Sequence, residues 1–325
     1  MTIKMQVGLD VGYNAVKAVS KSKRVQFPSV TGSPEQAGFS FNSDVGLVLT
    51  HPYSMSVGAQ AIAQSRSLDA RIDRAWLSSD KWHCLALTAL SELTKSSSGD
   101  VVIVAGLPTA FFSDSETVKE RLLGRQSFQR LGRGRQTLTV TDVRCMPQPF
   151  GSLFCETLSD SGKVKDQALR SGRVGVLDIG GKTTNLLTAH GLKEISKEST
   201  SIDAGGWSVV GRVQDWLKVE YPDLSISEYD LVPHIISREI SYHGDPVDLG
   251  EIVDHAVDNL VMEVVGASKR LWNGAAHLDA ILLTGGGAHL CGKALLSEFK
   301  QARIVQEPVF SNSIGFWRFA QAVSK

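Results

Sequence analysis

Two aspartates in this chain occupy the same kind of position. Asp10 lies in GLDVGYNAVKAV (8–19) and Asp178 in VLDIGGKTTNLL (176–187). Each ends an apolar strand, precedes a glycine turn, and is followed by a second strand. The tetrapeptides LDVG and LDIG start at residues 9 and 177, about one domain apart. A polyphosphate needs donors that can come close, and glycine lets backbone N–H groups do so. The turn Gly12–Tyr13–Asn14 offers such donors, and Lys17 adds a positive charge. The turn Gly180–Gly181–Lys182–Thr183 offers a second set. Asp10 and Asp178 across the phosphates would suit Mg²⁺ held through bound water, since this ion keeps several waters and takes one or two protein carboxylates. Either loop alone reads equally well as a hairpin turn carrying an acid. Both together, in one strand context, favour phosphate binding.

A third glycine site is LLTGGGAHL (282–290), between a strand and a helix. Bare backbone at Gly285, Gly286 and Gly287 would admit a base or a ribose-phosphate, and the helix N-terminus favours anions. The alternative is a tight strand-to-helix turn. No G-x-G-x-x-G follows the first strand, which excludes a Rossmann site. The GGKTT segment lacks the first glycine of a Walker A loop.

The elements that position these loops follow from pattern. DVVIVAGLP (100–108) is a continuous apolar run stopped by Gly-Leu-Pro, a buried central strand. DKWHCLALTALSEL (80–93) has helical spacing, SDSETVKERLL (113–123) opens with capping residues, and GSLFCETL (151–158) begins a helix. RQTLTVTDVRCMPQP (135–149) is strand-like, with Gln148 in a turn between two prolines. After a polar break, 173–200 reads as three strands, 205–218 as a glycine turn feeding a helix, 249–272 as a long helix and 311–323 as a closing helix. Strand runs followed by helices give an α/β chain with mixed sheets.

Composition bounds the partners. The 325 residues are 42% hydrophobic, enough for two domains, with 34 basic and 34 acidic residues. A zero net charge does not suggest a nucleic-acid binder. The arginine-rich run KERLLGRQSFQRLGRGRQ (119–136) is expected to be a solvated face. Cys84, Cys145, Cys155 and Cys291 are scattered and fit buried free thiols. No run approaches a membrane span, so the expectation is a soluble, cytoplasmic protein.

The order DVGYNAVK, GLP, MPQP-GSL, DIGGKTTN, GG before a helix, and TGGGA resembles the actin/chaperone-ATPase/sugar-kinase superfamily. Within it, the AGLPTAFF and VRCMPQPFGSL segments are most similar to the ParM/StbA plasmid-segregation actins and their archaeal relatives. The resemblance implies an actin-like ATPase fold: two duplicated α/β domains around a nucleotide cleft. Domain I would take 1–173 with an outer subdomain at about 30–95 and the C-terminal helix 311–325; domain II would take 174–310.

The resemblance also implies roles. Asp10, Gly12, Tyr13, Asn14 and Lys17 match the first phosphate loop; Asp178, Gly180, Gly181, Lys182, Thr183 and Thr184 match the second. Gly205 and Gly206 match glycines near the ribose, and Gly285, Gly286, Gly287 and Ala288 the adenosine motif. Gln148 falls where the family carries a Glu or Gln that positions the attacking water, so Gln148, Asp178 and Asp10 are the catalytic candidates. The implied cofactors are ATP, with GTP left open, and Mg²⁺. The implied partners are further copies in a filament and an adaptor protein at a centromere-like DNA locus, with no direct DNA or membrane contact. A small-molecule kinase and a non-polymerising actin-like adaptor are the competing readings.

Overall fold

The computed structural model describes residues 4–35, 46–69 and 74–323. Positions 36–45 and 70–73 of the expected outer subdomain, and 324–325 of the closing helix, lie outside the described residues. The chain forms two compact α/β units, Met1–Arg170 with Val309–Lys325, and Ser171–Pro308.

The first unit contains strands β1 (Met5–Val11), β2 (Ala15–Val19), β3 (Arg24–Pro28), β4 (Thr31–Gly32), β5 (Val48–His51), β6 (Met55–Val57), β7 (Leu68–Asp69), β8 (Ser98–Leu107), β9 (Gly124–Arg130) and β10 (Gln136–Pro147). Its helices are α1 (Ala59–Gln64), α2 (Asp80–Leu93), α3 (Ser115–Leu122), α4 (Gln148–Thr157) and α5 (Gln167–Ser171), the last running one residue past the unit boundary, with the closing helix α10 (Ser311–Val323). The sheet order is β3-β2-β1-β8-β10-β9-β5-β6-β4-β7. β1 and β2 form an antiparallel hairpin, while β8 runs parallel to both β1 and β10. Val101, Ile103, Val104 and Ala105 of β8 are all buried, as a central strand covered on both faces requires.

Helix α2 begins where Ser79 Oγ accepts the Trp82 N–H, at 3.2 Å, a side-chain N-cap. Helix α10 closes against β1 and α4 because three glycines remove the side chains that would hold it off. A Cβ on Gly8 would sit 2.5 Å from the Trp317 nitrogen, and one on Gly151 would sit 2.5 Å from Asn312 Cα. A Cβ on Gly315 would overlap the Gly151 carbonyl. Asn312 Oδ1 then accepts from the Ser152 N–H at 3.1 Å and from Ser152 Oγ at 2.7 Å.

The second unit repeats the plan. Its strands are β11 (Arg173–Ile179), β12 (Thr184–His190), β13 (Lys193–Glu194), β14 (Thr200–Ile202), β15 (Glu239–Tyr242), β16 (Asp245–Asp248), β17 (Ala280–Thr284) and β18 (Ala302–Ile304). Its helices are α6 (Gly206–Glu220), α7 (Glu228–Ser237), α8 (Gly250–Leu271) and α9 (Ala288–Glu298). The main sheet runs β13-β12-β11-β17-β18, with β14 also on β12, and β15–β16 form a separate hairpin. The run β2-β1-β8-β10 in one unit and β12-β11-β17-β18 in the other share one pattern: an antiparallel hairpin, then two parallel strands. Helix α8 buries Val253, Ala256, Leu260, Val264 and Ala267 on one stripe, the helical period read in the sequence.

Two local expectations differ from the structure. Helix α4 starts at Gln148, not at Gly151, because Pro147 ends the strand and Pro149 falls in the first turn, where its missing N–H costs nothing. The arginine-rich run is not simply a solvated face. It holds strand β9, in which Phe128 is fully buried, and Gln126 and Arg130 are also buried. The segment 220–248 contains α7 and the β15–β16 hairpin. The four cysteines are free thiols, and burial pushes those of Cys84, Cys145 and Cys291 up to about 12. No described helix is long and apolar enough to cross a membrane.

His83 on α2 lies between Tyr53, whose hydroxyl is 2.9 Å from Nδ1, and Gln126, whose Oε1 is 3.1 Å from Nε2. Gln126 Nε2 donates to the Leu122 carbonyl at 2.9 Å, so its Oε1 accepts and His83 Nε2 carries the proton. Burial, then the Arg121 charge, push the imidazole pKa from 6.5 down to about 4. The unfolded chain therefore binds a proton here before the folded one does. The stability this neutral histidine contributes is complete above pH 6.5 and is lost as pH falls through about 4. The loss is on the order of 3 kcal/mol. Urea unfolding between these pH values should show a smaller acid-induced loss in His83→Gln than in the wild type. Equal slopes would remove His83 as the cause.

Candidate functional site

In the first unit the site grows from the β1–β2 hairpin. Asp10 pairs in register with Lys17, and the Gly12 N–H donates to the Ala15 carbonyl at 3.2 Å to close the turn. Ser29, the residue after β3, fixes the loop from the side. Its hydroxyl donates to the Gly12 carbonyl at 2.6 Å and its N–H to the Asn14 carbonyl at 3.0 Å. Tyr13 stacks on Trp76 with ring centroids 5.6 Å apart.

Parallel pairing aligns Asp10 with Gly106 and Gly106 with Met146, which brings the start of α4 beside the loop. Gln148 Nε2 then donates to Asp10 Oδ1 at 2.8 Å, while Lys17 Nζ lies 3.3 Å from Oδ2. Asp10 is 2% exposed and Gln148 7%. A buried carboxylate needs such partners. The bond also fixes the amide: with Nε2 committed to Asp10, Oε1 is the free acceptor of Gln148. Gly106 makes room, since a Cβ there would lie 3.1 Å from Gln148 Cγ and 2.4 Å from the Phe316 ring.

In the second unit Asp178 is the penultimate residue of β11, in register with Asn185 of β12 and Thr284 of β17. The Gly180 N–H donates to the Thr183 carbonyl at 2.9 Å, closing a turn like that of the first unit. Gly205 and Gly206 pack directly on this loop. The Gly206 N–H donates to the Gly180 carbonyl at 3.0 Å and the Trp207 N–H to the Gly181 carbonyl at 2.8 Å. A Cβ on Gly205 would lie 2.5 Å from the Gly181 carbonyl oxygen. Thr184 Oγ1 donates to the Ala204 carbonyl at 2.7 Å and is buried.

The triple glycine is divided in its duties. Gly285 has φ +82°, and a Cβ there would lie 2.3 Å from the Ile179 oxygen and 2.6 Å from Asp178 Oδ1. The Gly287 N–H donates to the Ile179 carbonyl at 2.9 Å. Gly285 and Gly287 therefore tie the start of α9 to the Asp178 loop, Ala288 is buried as its first residue, and Gly286 faces open space.

The structure thus gathers Asp10, Gly12, Tyr13, Asn14, Lys17 and Gln148 in one unit. It gathers Asp178, Gly180, Gly181, Lys182, Thr183, Thr184, Gly205, Gly206 and Gly285–Ala288 in the other. Ser29 and Trp76 escaped the sequence reading, because nothing in their local spacing points to the Gly12–Asn14 loop. Among the described residues no group of three or more His, Cys, Asp or Glu could hold a metal alone. Mg²⁺ bound mainly by phosphates and water, with one or two carboxylates nearby, needs no such group.

Two units sharing a hairpin, a glycine loop and a strand-end carboxylate define an actin-like architecture. Residues 8–151 match the family model for the N-terminal domain of actin-like proteins, and residues 176–297 match that for the C-terminal domain of the archaeal MreB-like actin homologue. The chain belongs to the actin-like proteins. Solved structures agree in fold. A 15-stranded ParM filament from Clostridium botulinum has a TM-score of 0.81 at 19% identity, over 99% of both chains. The archaeal actin homologue Ta0583 in complex with ADP has a TM-score of 0.80 at 20% identity, over 97% of this chain and 98% of that one. A non-polymerisable quadruple mutant of pCBH ParM has a TM-score of 0.82 at 19% identity, over 98% and 99%. No curated protein sequence matches the chain significantly.

The division among the glycines is measurable. Gly285→Ala should lower stability by at least about 2 kcal/mol, from positive-φ strain and overpacking. Gly286→Ala, with no atom within 4 Å of its new Cβ, should stay within about 0.5 kcal/mol of the wild type. Equal effects in denaturant unfolding would contradict the geometry.

Proposed function

We propose that the chain is an actin-like ATPase that holds ATP with Mg²⁺ on the glycine loops of both units and polymerises into filaments. The observation that carries the reading is the twinned half-site, in which Asp10 and Asp178 end equivalent strands, each at 5% exposure or less, above equivalent glycine turns. A protein that needs only one binding loop has no use for the second at the same topological place. The ADP complex of Ta0583 and the ParM filament structure lend this support from the same fold. Segregation of plasmid DNA, through a separate adaptor at a centromere-like locus and in the cytoplasm, is the cellular role that best fits such a filament.

In this reading the N–H groups of Gly12–Asn14 and Gly180–Thr183 bind the phosphates, and Lys182 adds charge. Lys17 is poised to move from Asp10 to a phosphate. Gly286 leaves the adenosine side open. Mg²⁺, when bound, neutralises phosphate charge, with Asp10 and Asp178 as the residues that would hold it through water. Gln148 orients the attacking water through Oε1, because Nε2 is committed to Asp10. An amide cannot act as a strong general base. Hydrolysis then depends on positioning and electrostatics, and is slow.

Losing one positioning group typically costs ~10²-fold in rate, about 2.7 kcal/mol. Gln148→Ala should therefore polymerise with ATP but release phosphate ~10²-fold more slowly and form long-lived filaments. Phosphate release and light scattering in one sample read both. Hydrolysis at the wild-type rate would reduce Gln148 to a helix-start residue. Folded Asp178→Ala should nearly lose ATPase activity. Full activity would remove that carboxylate from the site, and a wild type without ATPase activity or filaments by electron microscopy would refute the proposal.

A further inference from the structure

Charge is distributed very unevenly over this neutral chain. Residues 121–135 hold five arginines and no acid. Residues 219–267 hold eleven acids and a single base, Arg238, and all eleven acids are exposed. Arg238 is already paired with Asp254 at 2.6 Å. On α8, Glu251, Asp254 and Asp258 recur at helical spacing and form one acidic stripe.

The basic side includes an open hollow. Lys95, Ser97, Arg133, Gly134, Arg135 and Gln136 line a cavity of about 380 Å³ where the end of α2 meets the β9–β10 turn. Lys95 and Arg135 are exposed and have no partner among the described residues. Beneath them three cations share one carboxylate. Lys23 Nζ and Arg133 Nη2 each lie 3.3 Å from Glu92, and Arg130 is paired to the same side chain. Partial burial, and then Arg133 and Arg130, lower the Lys23 pKa, so the cluster holds more positive charge than Glu92 offsets.

Gln136 also lines the hollow. It is 4% exposed. Its Nε2 donates to the Thr94 and Ser96 carbonyls at 3.1 and 2.7 Å, while its Oε1 is buried without a hydrogen-bond partner. Buried acceptors are rarely left unpaired. An occupant that brings carboxylates for Lys95 and Arg135 would complete the hollow.

We propose that this hollow docks the acidic face of another copy of the chain, the face carried by α8 and the β15–β16 hairpin. The inference rests on the filament reading above and assigns one of its subunit contacts. Two different surfaces joined in this way make a heterologous contact, which propagates head to tail unless it closes into a ring. Opposed charges steer such encounters and fix their register, and salt weakens them.

Two charge reversals test the pairing, Lys95→Glu with Arg135→Glu, and Glu251→Lys with Asp258→Lys. All four positions are exposed and lie outside the phosphate loops. Each full-length variant is followed by light scattering with ATP and Mg²⁺, from about 50 to about 500 mM sodium chloride, with ATP binding measured in parallel. Each variant alone should bind ATP as the wild type does but need at least ~10-fold more protein to assemble. An equimolar mixture of the two should recover assembly, because each reversed surface meets its reversed counterpart. Wild-type assembly should weaken as salt rises. Variants that assemble like the wild type, or a mixture without recovery, would overturn the contact while leaving the filament reading intact. Unaltered assembly with lost retention of duplex DNA by the Lys95/Arg135 variant would assign the hollow to nucleic acid instead. A wild type that stays monomeric at every salt concentration would overturn the filament reading and this contact together.

Discussion

A carboxylate at the buried end of a parallel strand cannot be left alone, and the first unit is organised around meeting that demand. Asp10 takes an ammonium from Lys17 on one oxygen and an amide from Gln148 on the other. The first partner comes from the hairpin that the glycine turn closes. The second comes from 138 residues away and arrives only because β1, β8 and β10 lie side by side in parallel. The sheet order, the start of α4 and the small residue at Gly106 all serve that contact. Charge-assisted hydrogen bonds of this kind are about twice as strong as neutral ones, and they hold the amide in a single orientation.

The second unit solves the related problem with backbone. Its loop is braced on one side by Gly206 and Trp207, whose N–H groups donate to the Gly180 and Gly181 carbonyls, and on the other by Gly287, whose N–H donates to the Ile179 carbonyl at the end of β11. Glycine is required where the chains approach too closely for a Cβ, and at Gly285 also by a positive φ. Two glycine clusters that are far apart in sequence are thus one structural object. Gly286 is the member of the triple glycine that takes no part in this bracing, and a Cβ there would meet open space.

Much of this was legible in the sequence, for physical reasons. Helices α2 and α10 and strand β8 were readable because one period or one unbroken apolar run dominates each. The LDVG/LDIG echo was readable because both copies must end a buried strand in the same turn. The start of α4 was not, since a proline on either side of Gln148 reads as a turn until the strand before it is placed. Strand β9 was hidden because its arginines mask a period-two pattern around Phe128, and Arg130 is buried only through Glu92 on α2. The Gln148–Asp10 bond and the bracing by Ser29 depend on long-range pairing, which no local window contains.

Under the proposed function, both glycine loops contact one nucleotide. A crystal structure of the full chain with Mg²⁺ and a non-hydrolysable ATP analogue tests it most directly. Phosphate oxygens should lie within hydrogen-bond distance of N–H groups in both Gly12–Asn14 and Gly180–Thr183, with Gln148 Oε1 directed toward the terminal phosphate. A nucleotide held by only one loop, or bound away from Asp10 and Asp178, would contradict it.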